Sequence, residues 1–227
     1  MACSNLGRGR YRMFNIEILK GAECVGEYGF PQLPKVVVSE EPQRVLSFDQ
    51  IHKPHDSKTW IQFHVHDDRY PRLYSKPEKY LPLLREMGGV FGIDHSVYRS
   101  LPRAERIYSV YENRVTDFWF SENGIRCIPN VSWGESDSFS YCCDGIAKGS
   151  SISVSTYGWA RQKGDKGLFL EGFYFVLERI APASVFFHGK VYPEAMNRAQ
   201  ESGIPLFHVP GRLEQVFAAC AKEVRHG

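Results

Sequence analysis

The chain has 227 residues, with 28 basic against 26 acidic side chains and a net charge of only +2. That balance argues against nucleic acid as the main partner, held through phosphate charge. At 43% hydrophobic and 24% charged, the composition suits a buried core and excludes a disordered chain, and no apolar run approaches the roughly 18–20 residues of a membrane span.

The expected elements begin with an N-terminal arm over residues 1–34, rich in glycine and proline, packed on a single α/β domain over residues 35–227. Residues 35–39 and 44–48 read as short strands because they are β-branched or apolar. A regular alternation then starts: strand 60–65, helix 77–87 with Pro77 at its start and Gly88-Gly89 at its end, and strand 89–93. Helix 102–121 follows, with Ile107, Val110, Tyr111, Val115 and Phe118 at three- and four-residue spacing. Strand 125–131 contains Pro129, which needs an edge or a bulge. Strand 150–154, an apolar helix 168–180, strand 184–187, helix 193–202, strand 205–209 and a final amphipathic helix 213–224 complete the chain. Strands alternating with helices predict a mainly parallel sheet, as a distorted or incomplete (β/α) barrel, with a doubly wound open sheet as the alternative. The six cysteines form no C-x-x-C pair and no signal peptide precedes them, so reduced thiols in a cytoplasm are expected.

In such folds ligands sit beyond the carboxyl ends of the strands, which is where this chain places its polar residues. Asp67, Asp68 and Asp94 stand at two successive strand ends; clustered carboxylates divide acid and base work or hold a divalent cation. His64-x-His66 puts two imidazoles on one strand face, which with Asp94 makes a candidate metal set. Asn130 and Trp133, with Ser155, Thr156 and His188, offer an amide, an indole face and polar groups that suit recognition of a base or sugar. Arg99 and Arg103 follow the Asp94 strand end and are candidate phosphate contacts. Arg114 falls beside the buried helix stripe and pairs inside or reaches the site.

Several ordered pieces carry a family resemblance: residues 63–70, Pro77-Glu78-Lys79-Tyr80-Leu81, Gly92-Ile93-Asp94-His95-Ser96-Val97-Tyr98 with Leu101-Pro102, and Tyr111-Glu112-Asn113-Arg114. Ile128-Pro129-Asn130-Val131-Ser132-Trp133-Gly134, residues 139–146 and Ser153-Val154-Ser155-Thr156-Tyr157-Gly158 continue the series. Over residues 60–189 the chain resembles the domain of unknown function 4417 family of phages, mobile elements and bacteria. The resemblance implies roles for the acids and for the Asn130–Trp133 pair. It implies no histidine ligation, since His64 and His66 stand where the family has apolar or aromatic residues. Residues and resemblance together predict an enzyme-like phage or mobile-element protein, in the host cytoplasm, acting on a phosphorylated, nucleotide-like small molecule, with a hydrolase as the candidate class. The alternatives are a non-catalytic counter-defence protein that sequesters a nucleotide signal or blocks a host defence protein, and a nucleic-acid-binding replication factor.

Overall fold

A computed structural model describes residue 19 and residues 21–65, 69–70, 72–73, 77–157, 159 and 164–211. An antiparallel hairpin, β1 (Cys24–Val25) and β2 (Phe30–Pro31), comes first. It rests on the rest of the chain through Phe30, which packs with Val110 and Tyr141. Then come β3 (Arg44–Ser47), β4 (Thr59–Phe63), helix α1 (Leu81–Glu86), β5 (Gly89–Ile93), helix α2 (Arg103–Glu122) and β6 (Cys127–Ile128). The second half holds β7 (Ile152–Ser155), helix α3 (Asp165–Ile180), β8 (Val185–His188), helix α4 (Pro193–Glu201) and β9 (Leu206–Val209).

β3 to β6 form a four-stranded parallel sheet and β7 to β9 a three-stranded parallel one, each in chain order. A parallel bridge between Asn130 and Ser153 joins them, so the strands run β3 to β9 without the reversal that a doubly wound sheet requires. Side chains alternate between two environments along each strand. Ile61, Phe63, Val90 and Ile93 face one outer cluster with α1 and the end of α2, while Ile152, Val154, Val185 and Phe187 face another with α3 and α4. Val45, Trp60, Phe91, Ile128, Phe186 and Val209, drawn from six of the strands, share a third cluster. Its rings are in contact, with centroids 5.4 Å apart for Trp60–Phe91 and Phe91–Phe186 and 5.1 Å for Phe186–Phe207. Such an interior filled from successive strands is how a (β/α) barrel is packed. Among the described residues no pairing joins β9 to β3, and these strands form no closed barrel.

Three expected elements differ. Residues 35–39 form no strand; this segment instead crosses the amino-terminal end of the second sheet. There Val36 O accepts from Ser151 N, and Val38 O accepts from the hydroxyls of Ser151 and Ser184. The strand expected over 125–131 is confined to Cys127–Ile128, because Pro129 has no N–H for the ladder. Residues 77–87 divide into a 3-10 turn, Pro77–Lys79, and the short α1. The helix expected over 213–224 lies outside the described residues. Cys127, Cys142 and Cys143 are free and buried, whereas Cys24 is disulfide-bonded, which departs from the all-reduced expectation. Among the described residues no helix is long and apolar enough to cross a membrane.

Candidate functional site

The carboxyl ends of β4 to β7 surround a cleft of about 310 Å³ lined by His64, Asp94, Ser132, Trp133, Ser155 and Tyr157, with Tyr98, Arg99, Trp159 and Asp165 also on its wall. Asp94 follows β5 directly. Its Oδ1 accepts from the Asn130 amide at 2.7 Å and from the Ser132 hydroxyl at 2.6 Å. Asn130 is itself held: its amide nitrogen lies 2.9 Å from Ser132 Oγ, and its Oδ1 accepts from Ser153 Oγ at 3.0 Å. Two residues apart on an extended chain, Asn130 and Ser132 point the same way, so the segment after β6 delivers both to one carboxylate. The backbone carbonyl of Asp94 accepts from the Tyr70 hydroxyl at 3.2 Å, and that hydroxyl also donates to Phe63 O. The end of β4 and the end of β5 are thereby tied together.

His64 Nε2 lies 3.7 Å from Asp94 Oδ2, with 1% of the histidine side chain and 22% of the aspartate side chain exposed. Among the described residues, neither ring nitrogen finds a hydrogen bond of ordinary length and angle. Burial holds His64 below the usual imidazole range, and the Asp94 charge and neighbouring Asn130 pull it only part of the way back. Its ring lies 4.0 Å from that of His188, inclined by 31°. His188 is fully buried, its Nδ1 is 3.0 Å from Gln62 Oε1, and burial pushes it well below the normal histidine value. An amide oxygen only accepts, so His188 carries its hydrogen on Nδ1. Both imidazoles are neutral at pH 7, as a base must be.

The structure gathers some expected residues and disperses others. His64, Asp94, Arg99, Trp133 and Ser155 line the cleft, Asn130 stands behind Asp94, and His188 lies under His64. Arg99 donates to Asp165, so the cation expected to contact phosphate already faces a carboxylate. Arg103 is directed elsewhere, its guanidinium 3.3 Å from the Tyr28 hydroxyl. Arg114 is fully buried and donates to the carbonyls of Asp144, Asn130 and Cys142 at 2.9, 3.0 and 2.7 Å; it positions the Asn130 backbone rather than touching a ligand. Thr156 is buried in the loop after β7, its hydroxyl bonded to Lys190 O at 3.1 Å. Asp67, Asp68 and His66 lie outside the described residues, and among those described no group of three His, Cys, Asp or Glu is placed to hold a metal ion.

Ser132, Gln62, Tyr98 and Trp159 were not singled out in the sequence. Ser132 had a signal, its two-residue spacing from Asn130. Gln62 had one as well, since it shares a strand face with His64. Tyr98 stood in the family-like piece 92–98 without a role, and Trp159 carried no signal, because each lies on a loop whose path depends on the tertiary fold.

A family model described as a domain of unknown function (DUF4417) matches residues 22–202. The Gene 1 protein of Mycobacterium phage D29 is 30% identical over 164 residues, covering 72% of this chain and 60% of the relative. The Gene 1 protein of Mycobacterium phage L5 is 29% identical over 131 residues, covering 58% of this chain and 57% of the relative. The chain thus spans about six-tenths of the length of these curated relatives. No solved structure matches it significantly.

Proposed function

The chain belongs to the domain of unknown function (DUF4417) family, and we propose that this member binds a nucleotide-like small molecule in the cleft and transfers a proton on it through His64 and Asp94. The observation that carries this reading is the pairing of a fixed carboxylate with a buried neutral imidazole that makes no hydrogen bond of ordinary geometry among the described residues. An unsatisfied buried polar group costs about 1–3 kcal/mol, and a ligand in the cleft would remove that penalty. Trp133, Trp159, Tyr98 and Tyr157 supply aromatic faces against which a planar ring stacks. Asp94 would hold the His64 hydrogen on the nitrogen facing it, and the other nitrogen, buried in this structure, would serve as the general base on a ligand toward which the ring turns. Arg99 is the sole cation among the described cleft-lining residues, and a phosphate bound there would compete with Asp165.

The distance of 3.7 Å between His64 and Asp94 favours one other reading. The acid–base pair is not hydrogen-bonded, which suits a protein that sequesters its ligand intact, and the relatives are phage proteins.

Mass spectrometry of small molecules released by denaturing the purified protein, followed by turnover assays on what is recovered, tests both readings. A recovered or bound nucleotide-like compound that His64→Ala converts at least about 100-fold more slowly fits catalysis. The same compound bound unchanged fits sequestration. Wild-type binding and turnover in Asp94→Ala would overturn the assignment of the site.

A further inference from the structure

The charge balance of the cleft deepens the reading just given, on which it depends. The described side chains on its wall hold two carboxylates, Asp94 and Asp165, against one guanidinium, Arg99. That guanidinium donates to Asp165, whose side chain is buried. Asp94 is left without a cation. Among the described residues no lysine or arginine pairs with it, and its ionisable neighbour, His64 at 3.7 Å, is held neutral by burial. The Asn130 amide and the Ser132 hydroxyl fix its Oδ1, while 22% of the side chain stays exposed. A ligand that fills the cleft strips the remaining water from this carboxylate. A neutral ring would leave a desolvated charge uncompensated, whereas a positively charged ring replaces the lost water with an ion pair.

The aromatic side chains of the wall favour the same sign. Tyr98 lies on the loop after β5, and Tyr157 and Trp159 follow β7, so in strand order they flank the Asn130–Ser132 segment on both sides. Tyr98 and Tyr157 are 47% and 48% exposed, which leaves about half of each residue open to a ligand. The face of an aromatic ring carries partial negative charge and attracts a cation.

We propose that the cleft selects a nucleoside or nucleotide whose ring is cationic at neutral pH, a pyridinium or an N-alkylated purine, with Asp94 as its counter-charge and the aromatic side chains as its stacking partners. Stacking alone accepts any base, so the ring charge supplies the selection. The contact asks for no particular hydrogen-bond pattern on the ring, because opposite charge close to Asp94 Oδ2 is attractive in any orientation. A volume of about 310 Å³ lies at the small end of ligand sites, which suits one ring with its sugar.

Isothermal titration of the full chain at neutral pH tests this with two pairs of ligands that differ in ring charge. Nicotinamide riboside is compared with its neutral dihydro form, and 1-methyladenosine, cationic at neutral pH, with adenosine. Choline serves as a cation without a nucleoside. The cationic member of at least one pair should bind roughly 10- to 100-fold more tightly than the neutral one. A preference confined to the first pair identifies a pyridinium ligand, and one confined to the second an alkylated purine. Asp94→Asn, with its melting temperature as the check on folding, should bring the two members to within about threefold of each other. Tyr98→Leu, at an exposed position that folding tolerates, should narrow the preference as well, because leucine offers no aromatic face. Equal binding within both pairs, or tighter binding of the neutral members, would overturn selection of a cationic ring and leave the nucleotide-like reading standing. Choline binding without nucleoside binding would overturn both readings, as would binding of none of these compounds.

Discussion

Replacing Arg114 with methionine should destabilise the protein far more than any effect on solubility or surface charge could explain. The side chain is fully buried in the middle of α2, and its guanidinium spans three carbonyls on two separate segments, Asn130 on one and Cys142 and Asp144 on the other. It also lies 4.0 Å from the Asp117 carboxylate. Methionine fills similar volume but leaves three acceptors without donors and Asp117 without its nearest positive charge. Removing one partner from a buried charged network costs about 3–5 kcal/mol. The lower end applies here, because Asp117 is already pushed up to about 7 by burial and readily becomes neutral, and because burial disfavours the charge on Arg114 itself. A loss of about 3 kcal/mol in a chain of this size lowers the melting temperature by roughly 6–12 °C. Urea titration followed by circular dichroism measures it directly. Lysine should rescue little, since one ammonium cannot reach three carbonyls spread around a planar fork. The exposed Arg103 is the internal comparison, and its alanine variant should stay within about 0.5 kcal/mol of wild type. A loss below about 1 kcal/mol for Arg114→Met would refute the view that this network fixes the backbone at Asn130.

Two further predictions concern α3 and pH. A Cβ on Gly172 would overlap the Trp133 indole, so Gly172→Ala should cost about 1–3 kcal/mol and shift tryptophan fluorescence. Gly167→Ala, which meets nothing within 4 Å, should be neutral or stabilise by about 0.5–1 kcal/mol. Asp117, raised by burial from 3.8 to about 7, keeps its proton in the folded chain where the unfolded chain has lost it. Its contribution is complete at low pH and fades as pH rises through about 7. His64, His188 and His95 act oppositely: burial lowers all three, His95 to about 4, against an ordinary value of 6.5. The unfolded chain therefore binds protons that the folded chain refuses, and three histidines outweigh one aspartate. Stability should fall on acidification below about pH 6.5, and Asp117→Asn should steepen the fall by up to about 1.4 kcal/mol per pH unit. Parallel curves for the two proteins would show that Asp117 does not carry this charge change.

Periodicity and turn chemistry made most of the fold legible. α2 is expected over 102–121 and spans Arg103–Glu122, because its apolar stripe and the Asn123-Gly124 stop are local signals. The segment at 35–39 reads as a strand for the same local reason, yet its carbonyls are claimed by Ser151 and Ser184, more than a hundred residues away. No pattern in the segment itself announces that. That Asp94, Trp133 and Asn130 would come together was legible because strand ends in α/β folds gather polar side chains at one end of the sheet. Spacing marked Arg114 as lying beside the buried stripe of α2, whereas nothing local told where Arg103 would turn. Packing supplies the partners: Arg103 is exposed beside Tyr28, and Arg114 is buried among three carbonyls rather than reaching the cleft. The polar run Glu112, Asn113, Arg114, Thr116 and Asp117 is buried almost without break, which a hydrophobic stripe cannot reveal.

The meeting of the two sheets at Asn130 has a mechanical consequence. Backbone continuity across that line rests on the bridge at Asn130 and Ser153, with Val131 N bonded to Ser153 O and Ser153 N to Pro129 O, each at 2.9 Å. The Asn130 side chain stitches the same line a second time, to Ser153 on one sheet and to Asp94 on the other. The seam between the two sheets therefore runs through the floor of the cleft. A ligand gripping Asp94 from one half and Ser155 or Tyr157 from the other acts as a suture. Its affinity should register as slowed hydrogen exchange at the amides of Val131 and Ser153, residues it need never touch.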